Sequence, residues 1–273
     1  MSAFVFGINV SPLKSGRAIS VNRVEVNERG LAYDREYMVV NPSGKFLSQR
    51  DVPRLALITS SIRHKSGGTD FSAPGMPTIF VGPLAGILLP RIHVTVHKDS
   101  GDALDQGDQA SQWFTEFLNV PARLVRINPA NPRRHYSSAL GREFPGNFQD
   151  GSHALIISRA SLNDLNSRVA EPISMNRFRP TIEVSGSSPY EEDTWMHKHI
   201  RIGEMEMLGA NLNVRCVVTT IDQETSLRDP HQEPLRTLAT YRRTADGEVT
   251  FGLNCYVIKP GRVYVGALVE ILG

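Results

Sequence analysis

Arg91-Ile92-His93-Val94-Thr95-Val96-His97 alternates strictly. Ile92, Val94 and Val96 fall on one side of an extended chain, and His93, Thr95 and His97 on the other. That two-residue period is the mark of a half-buried β-strand. The same texture surrounds it. Short strand-like runs lie at 4–10, 21–26, 36–40, 55–62, 78–81, 122–127, 153–158, 180–185, 199–208, 215–221, 254–258 and 262–271, broken by Gly, Pro, Asn and Asp. No segment repeats at the period of a solenoid or propeller. Helical spacing is confined to three places. In 108–118, Ala110, Trp113, Phe114, Phe117 and Leu118 form one stripe behind Asp108, a candidate N-cap. In 159–169, Leu162, Leu165 and Val169 follow Ser158, a second candidate cap. In 234–242, Pro234 takes the first helical position ahead of Leu235, Leu238 and Tyr241. The fold class read from this is mainly β (α+β), with a few peripheral helices.

The chain has 273 residues, enough for one large domain or two modest ones, and 40% are hydrophobic, enough for a packed core. Lys and Arg outnumber Asp and Glu by 30 to 28, so net charge demands no polyanionic partner. An irregular stretch covers 127–152, with Pro129, Pro132, Gly141, Pro145 and Gly146. From Phe117 to Arg142 no acidic residue occurs, yet Arg123, Arg126, Arg133, Arg134 and Arg142 do. This cluster is either a solvated linker or an anion-binding crossover. It places a domain division between 125 and 126, giving domains 1–125 and 126–273.

No apolar run approaches the roughly 18 residues that cross a bilayer. The N-terminus reads as a strand over Phe4–Val10 rather than a signal peptide. The expectation is a cytoplasmic chain with no membrane partner. Two cysteines, Cys216 and Cys255, exclude a disulfide framework and any four-cysteine zinc or iron–sulfur site. A single bond between them stays open beside the simpler reading of two reduced thiols.

Most motif matches fail on context. Ser11-Pro12-Leu13-Lys14 has the spacing of an acyl-enzyme Ser-x-x-Lys, but it follows a strand and lacks companion motifs. The eight histidines contain no zinc-binding pattern; His93/His97 and His197/His199 suit a surface or a pocket edge. Gly-rich phosphate loops are absent. Cys216, in Asn213-Val214-Arg215-Cys216-Val217-Val218-Thr219-Thr220, stands at the start of a predicted strand beside an arginine. A neighbouring cation favours the thiolate, the better ligand and nucleophile. Residue types alone leave Cys216 open between that role and a small buried hydrophobe. Cys255, among alternating apolar residues, reads as structural.

Several stretches taken in order carry a resemblance. They include Pro12-Leu13-Lys14-Ser15, Gly30-Leu31-Ala32-Tyr33-Asp34-Arg35, Asp150-Gly151-Ser152, Asn176-Arg177-Phe178-Arg179-Pro180, Arg215-Cys216-Val217-Val218-Thr219-Thr220 and Glu233-Pro234-Leu235-Arg236. The chain resembles MOSC-domain proteins with a MOSC N-terminal β-barrel domain, the group of the mitochondrial amidoxime-reducing component and its bacterial counterparts. The resemblance implies two intimately packed β-barrel-like domains with the molybdenum cofactor, a phosphate-bearing pterin dithiolene, in the cleft between them. It implies that Cys216 ligates molybdenum and is the catalytic centre, which suits a soft thiolate. It implies cofactor contacts by Lys14, Ser15, Arg35, Arg179 and Arg215, cations and a hydroxyl of the kind a phosphate and an oxidised pterin require. Gly151 and Ser152 fall where relatives often have Thr-Ser, so Gly151 can offer only backbone. Asn254 falls where relatives can have tyrosine, and Asn213 where eukaryotic relatives often have a second cysteine.

The activity so implied is reduction of small N-hydroxylated compounds, N–OH to N–H. Electrons would come from a separate flavin, haem or iron–sulfur protein, since these cysteines cannot build a cluster. The alternative is a non-catalytic carrier of the cofactor or of sulfur on Cys216. A barrel that binds single-stranded nucleic acid would need exposed aromatics among its arginines, and only 7% of residues are aromatic. No nucleic-acid partner is expected.

Overall fold

The computed structural model describes residues 2–84, 89–137 and 140–272, and strands dominate it. The largest sheet has eight strands in the order Ile19–Val21, Phe4–Val10, Ile182–Ser185, Ala154–Ser158, Thr250–Lys259, Met205–Val214, His199–Ile202 and Val269–Leu272. All neighbours are antiparallel except Ala154–Ser158 with Ile182–Ser185. A parallel pair needs a crossover, and it contains the helix Arg159–Asn166, capped by the Ser158 side chain as expected. Inward positions form one core in which Val5, Ile8, Ile156, Ile182, Met205 and Leu253 are fully buried. Cys255 belongs to this core, and burial pushes its thiol up. It is structural.

Strands between 37 and 127 form two smaller sheets. One runs Tyr37–Val40, Arg123–Ile127, Asp99–Asp105, Arg91–Val96; the other Thr59–Ile62, Thr69–Ser72, Ile79–Val81. In Arg91–Val96 the alternation holds: Val94 and Val96 are buried and His93 is exposed. The helix Asp108–Leu118 lays its predicted stripe over this region, with Phe114 edge-on to Phe71 at 5.7 Å between centroids. Each such buried aromatic contributes on the order of 2 kcal/mol. Gly107, not Asp108, takes the cap position; Asp108 enters the first turn and pairs with Arg123 at 2.8 Å.

The early strands do not stay with this second region. Phe4–Val10 pairs with Ile182–Ser185, and Arg23–Asn27 pairs with Gly261–Tyr264. Phe4–Val10 and Arg23–Asn27 therefore pair across the 125/126 division expected from the sequence, with Ile19–Val21 and Gly30–Leu31 attached to them.

Several elements differ from expectation for local reasons. The 199–208 run divides at Gly203 (φ 60°) and the 262–271 run at Gly266 (φ 91°), left-handed positions that suit glycine and turn each run into two strands. The first half of 55–62 is the end of a 3₁₀ turn, Pro53–Leu57, opened by Pro53. In 234–242 only one helical turn forms, Leu235–Leu238. The 127–152 stretch contains a hairpin, Arg133–Ser137 with Arg142–Gly146. Of the arginine cluster, Arg123 pairs with Asp105, Arg126 with Glu36, Arg133 with Asp99 and Arg134 with Glu143 of the facing hairpin strand, at 2.7–2.8 Å, while Arg142 lies over the Phe144 ring. The cluster is therefore built into the fold rather than a free linker.

The hairpin is tied to the large sheet through His153, which is 1% exposed. Its Nδ1 accepts from the Val257 N–H at 3.0 Å, which leaves Nε2 protonated to donate to the Pro145 carbonyl at 2.6 Å. That pattern requires a neutral ring. Burial accordingly pushes His153 down to about 4, and desolvation with nearby cations does the same for His135. The unfolded chain takes up this proton below about 6.5, the folded one only near 4. Stability from His153 is thus complete above about pH 6.5 and is lost as pH falls toward 4, about 3 kcal/mol in all. Urea unfolding at a series of pH values should show this decline; a flat profile between about pH 6.5 and 4.5 would refute a neutral buried imidazole.

Candidate active site

Lys14, Ser15, Arg35, Gly151, Ser152, Arg179, Arg215, Cys216 and Asn254 all line one cleft of about 470 Å³. Local structure explains how they meet. Leu13 bridges Tyr37, and the Lys14 N–H donates to the Tyr37 carbonyl at 2.7 Å, which pins the 11–16 turn to the 37–40 strand. The Arg35 N–H donates to the Ser11 carbonyl at 2.7 Å, and the buried Asp34 carboxylate accepts from the Ser11 N–H at 2.8 Å and from the Arg35 guanidinium. Arg179 donates across the seam to the Gly16 carbonyl at 2.6 Å and to Ser11 Oγ at 3.2 Å. Ser15, Arg35 and Arg179 all adopt left-handed backbone, φ 67°, 52° and 56°. Each such residue costs roughly 1–2 kcal/mol, and strain of this kind gathers at functional sites.

Cys216 does not begin a strand. It follows the end of Met205–Val214 in extended conformation and leads into the 3₁₀ turn Val217–Thr220. Thr219 Oγ1 donates to the Cys216 carbonyl at 2.9 Å and Thr220 Oγ1 to the Val217 carbonyl at 2.8 Å. Hydroxyls that satisfy nearby carbonyls offer the backbone an alternative to a ladder, so the β-branched run coils. The cation in hydrogen-bond contact with the sulfur is Arg50, whose Nη2 lies 3.3 Å from Sγ. Arg215 turns away, donating to the Phe178 carbonyl at 2.7 Å and to Asn213. Arg50 is 166 residues from Cys216 in sequence, and no local signal singles it out.

Among the described residues, the lining has six cations, Lys14, Arg35, Arg50, Arg177, Arg179 and Arg215, against the single carboxylate of Asp150. Burial pushes Arg179 and Arg215 down to about 10. Burial also lowers Lys14, against the pull of Asp150. Lys14 Nζ donates to the Phe148 carbonyl at 2.8 Å and to Asp150. Crowding around Asp150 opposes its ionisation, but its side chain keeps 70% of its surface exposed, and Lys14 and His97 hold the carboxyl well below the usual carboxylate range. The contact with the sulfur raises Arg50, against its desolvation. Asn254 Oδ1 accepts from Ser152 Oγ at 3.0 Å and Asn213 Nδ2 at 2.8 Å, so it joins three parts of the wall. The Gly151 carbonyl is taken by the Tyr256 hydroxyl. Among the described residues, no group of three or more His, Cys, Asp or Glu is placed to hold a metal.

Residues 2–121 match the MOSC N-terminal beta barrel domain and residues 144–270 the MOSC domain. Mitochondrial amidoxime-reducing component 1 of Danio rerio is 36% identical across 94% of this chain and 81% of its own length. The Homo sapiens protein of that name is 33% identical across 97% of this chain and 81% of its own. The chain belongs to the MOSC-domain family. Molybdenum cofactor sulfurase of Oryza sativa subsp. japonica is 32% identical across 90% of this chain but only 31% of its own length.

A pair of buried amides adds a second tie across this MOSC cleft, beside that of Arg179. Gln49 and Gln223, 0% and 2% exposed, exchange reciprocal side-chain hydrogen bonds of 3.0 Å. Gln49 also donates to the Ser15 carbonyl at 2.7 Å, and Gln223 to the Ile221 carbonyl at 3.0 Å. The clamp places Arg50, next to Gln49, against Cys216. Gln49→Ala removes both bonds of the reciprocal pair and the one to the Ser15 carbonyl, leaving Gln223 Nε2 only the Ile221 carbonyl and Oε1 only the longer contact from Arg179, and should cost about 1–3 kcal/mol. Urea unfolding measures this, and wild-type stability in the variant would show that the clamp is dispensable.

Proposed function

We propose that this protein is a molybdenum-cofactor-dependent oxidoreductase that reduces N-hydroxylated compounds, N–OH to N–H, with electrons from a separate donor protein. The observation that carries the reading is a half-buried thiol opening into a cleft of six cations and one carboxylate, in a chain of one family with amidoxime-reducing components. The lining suits the cofactor chemically. Its phosphate and oxidised pterin call for clustered cations and donors, and its metal for a soft ligand. Arg215 Nε is buried with no partner among the described residues, a donor still to be satisfied.

In this reading Cys216 holds molybdenum, and Lys14, Ser15, Arg35 and Arg179 hold the phosphate and pterin end. Arg215, Ser152, Asn254 and the backbone at Gly151 complete the wall. When bound, the cofactor supplies two-electron oxygen-transfer chemistry. The chain's own residues orient and neutralise. Arg50 places a positive charge beside the sulfur, where it offsets a thiolate. Arg179 and Arg35 present permanent charges from opposite sides of the seam. Electron delivery falls to a flavin, haem or iron–sulfur protein, since Cys255 is buried in the core and unavailable to any cluster.

The test is molybdenum per chain by elemental analysis, comparing wild type with Cys216→Ala from one cofactor-competent host. Wild type should carry the metal and the variant roughly tenfold less or lower. Loaded wild type should consume reductant only when an N-hydroxy compound is present. Equal metal in both proteins would remove Cys216 as ligand. A loaded protein with no such turnover would turn the reading to a carrier.

A further inference from the structure

Reduction of N–OH consumes protons as well as electrons, and the cleft holds a group built to deliver one. His97 follows the strand Arg91–Val96 with φ 55°, so its ring leaves the alternation of that strand and lines the cleft. Nε2 lies 2.9 Å from Asp150 Oδ1, and the ring packs edge-on to Phe46 at 4.7 Å. Nδ1 has no partner among the described residues. The side chain is 37% exposed, open to solvent protons.

Other cleft groups are committed. Lys14 is bound to Phe148 and Asp150, and both nitrogens of His153 are engaged. The arginines keep their protons. Charged groups around the dyad are Lys14 behind Asp150, Arg133 paired with Asp99, Arg35 and Arg50 on the cleft walls, and Lys98 next along the chain.

We propose that His97, oriented by Asp150, is the proton donor of the reductase reaction, an inference that rests on the reading above. As the N–O bond breaks, two electrons arrive from the donor protein. His97 gives one proton to the departing hydroxyl oxygen, which leaves as water. A second proton, from solvent, ends on nitrogen. His97 recovers its proton from solvent. Asp150 is the positioning residue: its carboxylate fixes the ring through Nε2 and stabilises the imidazolium, leaving Nδ1 to donate.

The experiment follows kcat of loaded protein from about pH 5 to about pH 9, with molybdenum per chain measured in every variant. Wild type should lose rate on the basic side as the donor deprotonates. His97→Gln should lower kcat about 100-fold and abolish that basic limb, with KM and metal content retained. Asp150→Asn should also lower kcat, since the ring loses the carboxylate that orients it. An independent readout is NMR of the His97 ring nitrogens in cofactor-free protein, assigned with His97→Gln: the neutral ring should carry its hydrogen on Nε2, facing Asp150, and lose that tautomer preference in Asp150→Asn. A basic limb that survives His97→Gln, or a ring tautomer unchanged by Asp150→Asn, would overturn the proposal. Absence of N-hydroxy turnover in loaded wild type would instead overturn the reductase reading and the donor role with it, while the ring tautomer still reports on the dyad.

Discussion

Arg179 is the constraint on which the cleft depends. Its guanidinium reaches from the 175–180 segment to the Gly16 carbonyl and the Ser11 hydroxyl, so one charged side chain joins two distant parts of the chain. Burying such a charge costs several kcal/mol unless its hydrogens find acceptors. Here they find the Gly16 carbonyl, the Ser11 hydroxyl and, at 3.4 Å, Gln223 Oε1 rather than a direct ion pair. Burial opposes the charge, Arg35 and Arg215 repel it, and Asp34 and Asp150 attract it. An anion entering the cleft would add attraction, and any ligand that binds only the folded state also stabilises it. A bound anion would thus help hold the seam closed.

The same economy appears around Cys216. Strand hydrogen bonds stop at Val214, threonine hydroxyls take the next carbonyls, and the sulfur is left half-buried with a guanidinium 3.3 Å away. A sulfur inside the ladder, like that of Cys255, would be inert. The difference between the two thiols is whether the backbone lets the side chain leave the core.

Local pattern revealed the elements whose burial is periodic. The alternation of 91–97 and the stripe of 108–118 reappear in three dimensions because one face of each meets a core. The pattern failed where side chains compete with the backbone, as in 215–221, and where polar strands such as Asp99–Asp105 hide their pairing. The 133–146 hairpin was obscured by its prolines, glycines and arginines, which read as a linker although Arg134 meets Glu143 across the hairpin and Arg133 reaches Asp99 outside it. The nine lining residues were reached through ordered resemblance to a family rather than through periodicity, and the structure does bring them to one cleft. Arg50, Gln49 and the Asp150–His97 pair were illegible as a site because their contacts span between 34 and 174 residues of sequence.

The pairing of residues 4–31 with late strands has a consequence for synthesis. Arg23–Asn27 finds its partner only when Gly261–Tyr264 has been made. At about 5–20 residues per second, the first strands wait on the order of 10–50 s beside a growing chain. During that time their backbone edges are open and their apolar faces uncovered, while the 37–127 region can already close on itself. Vectorial folding thus completes the smaller sheets first, and the large sheet, with the cleft it borders, closes last. In a crowded translation environment that interval is when the nascent protein is most exposed to mispairing with another copy.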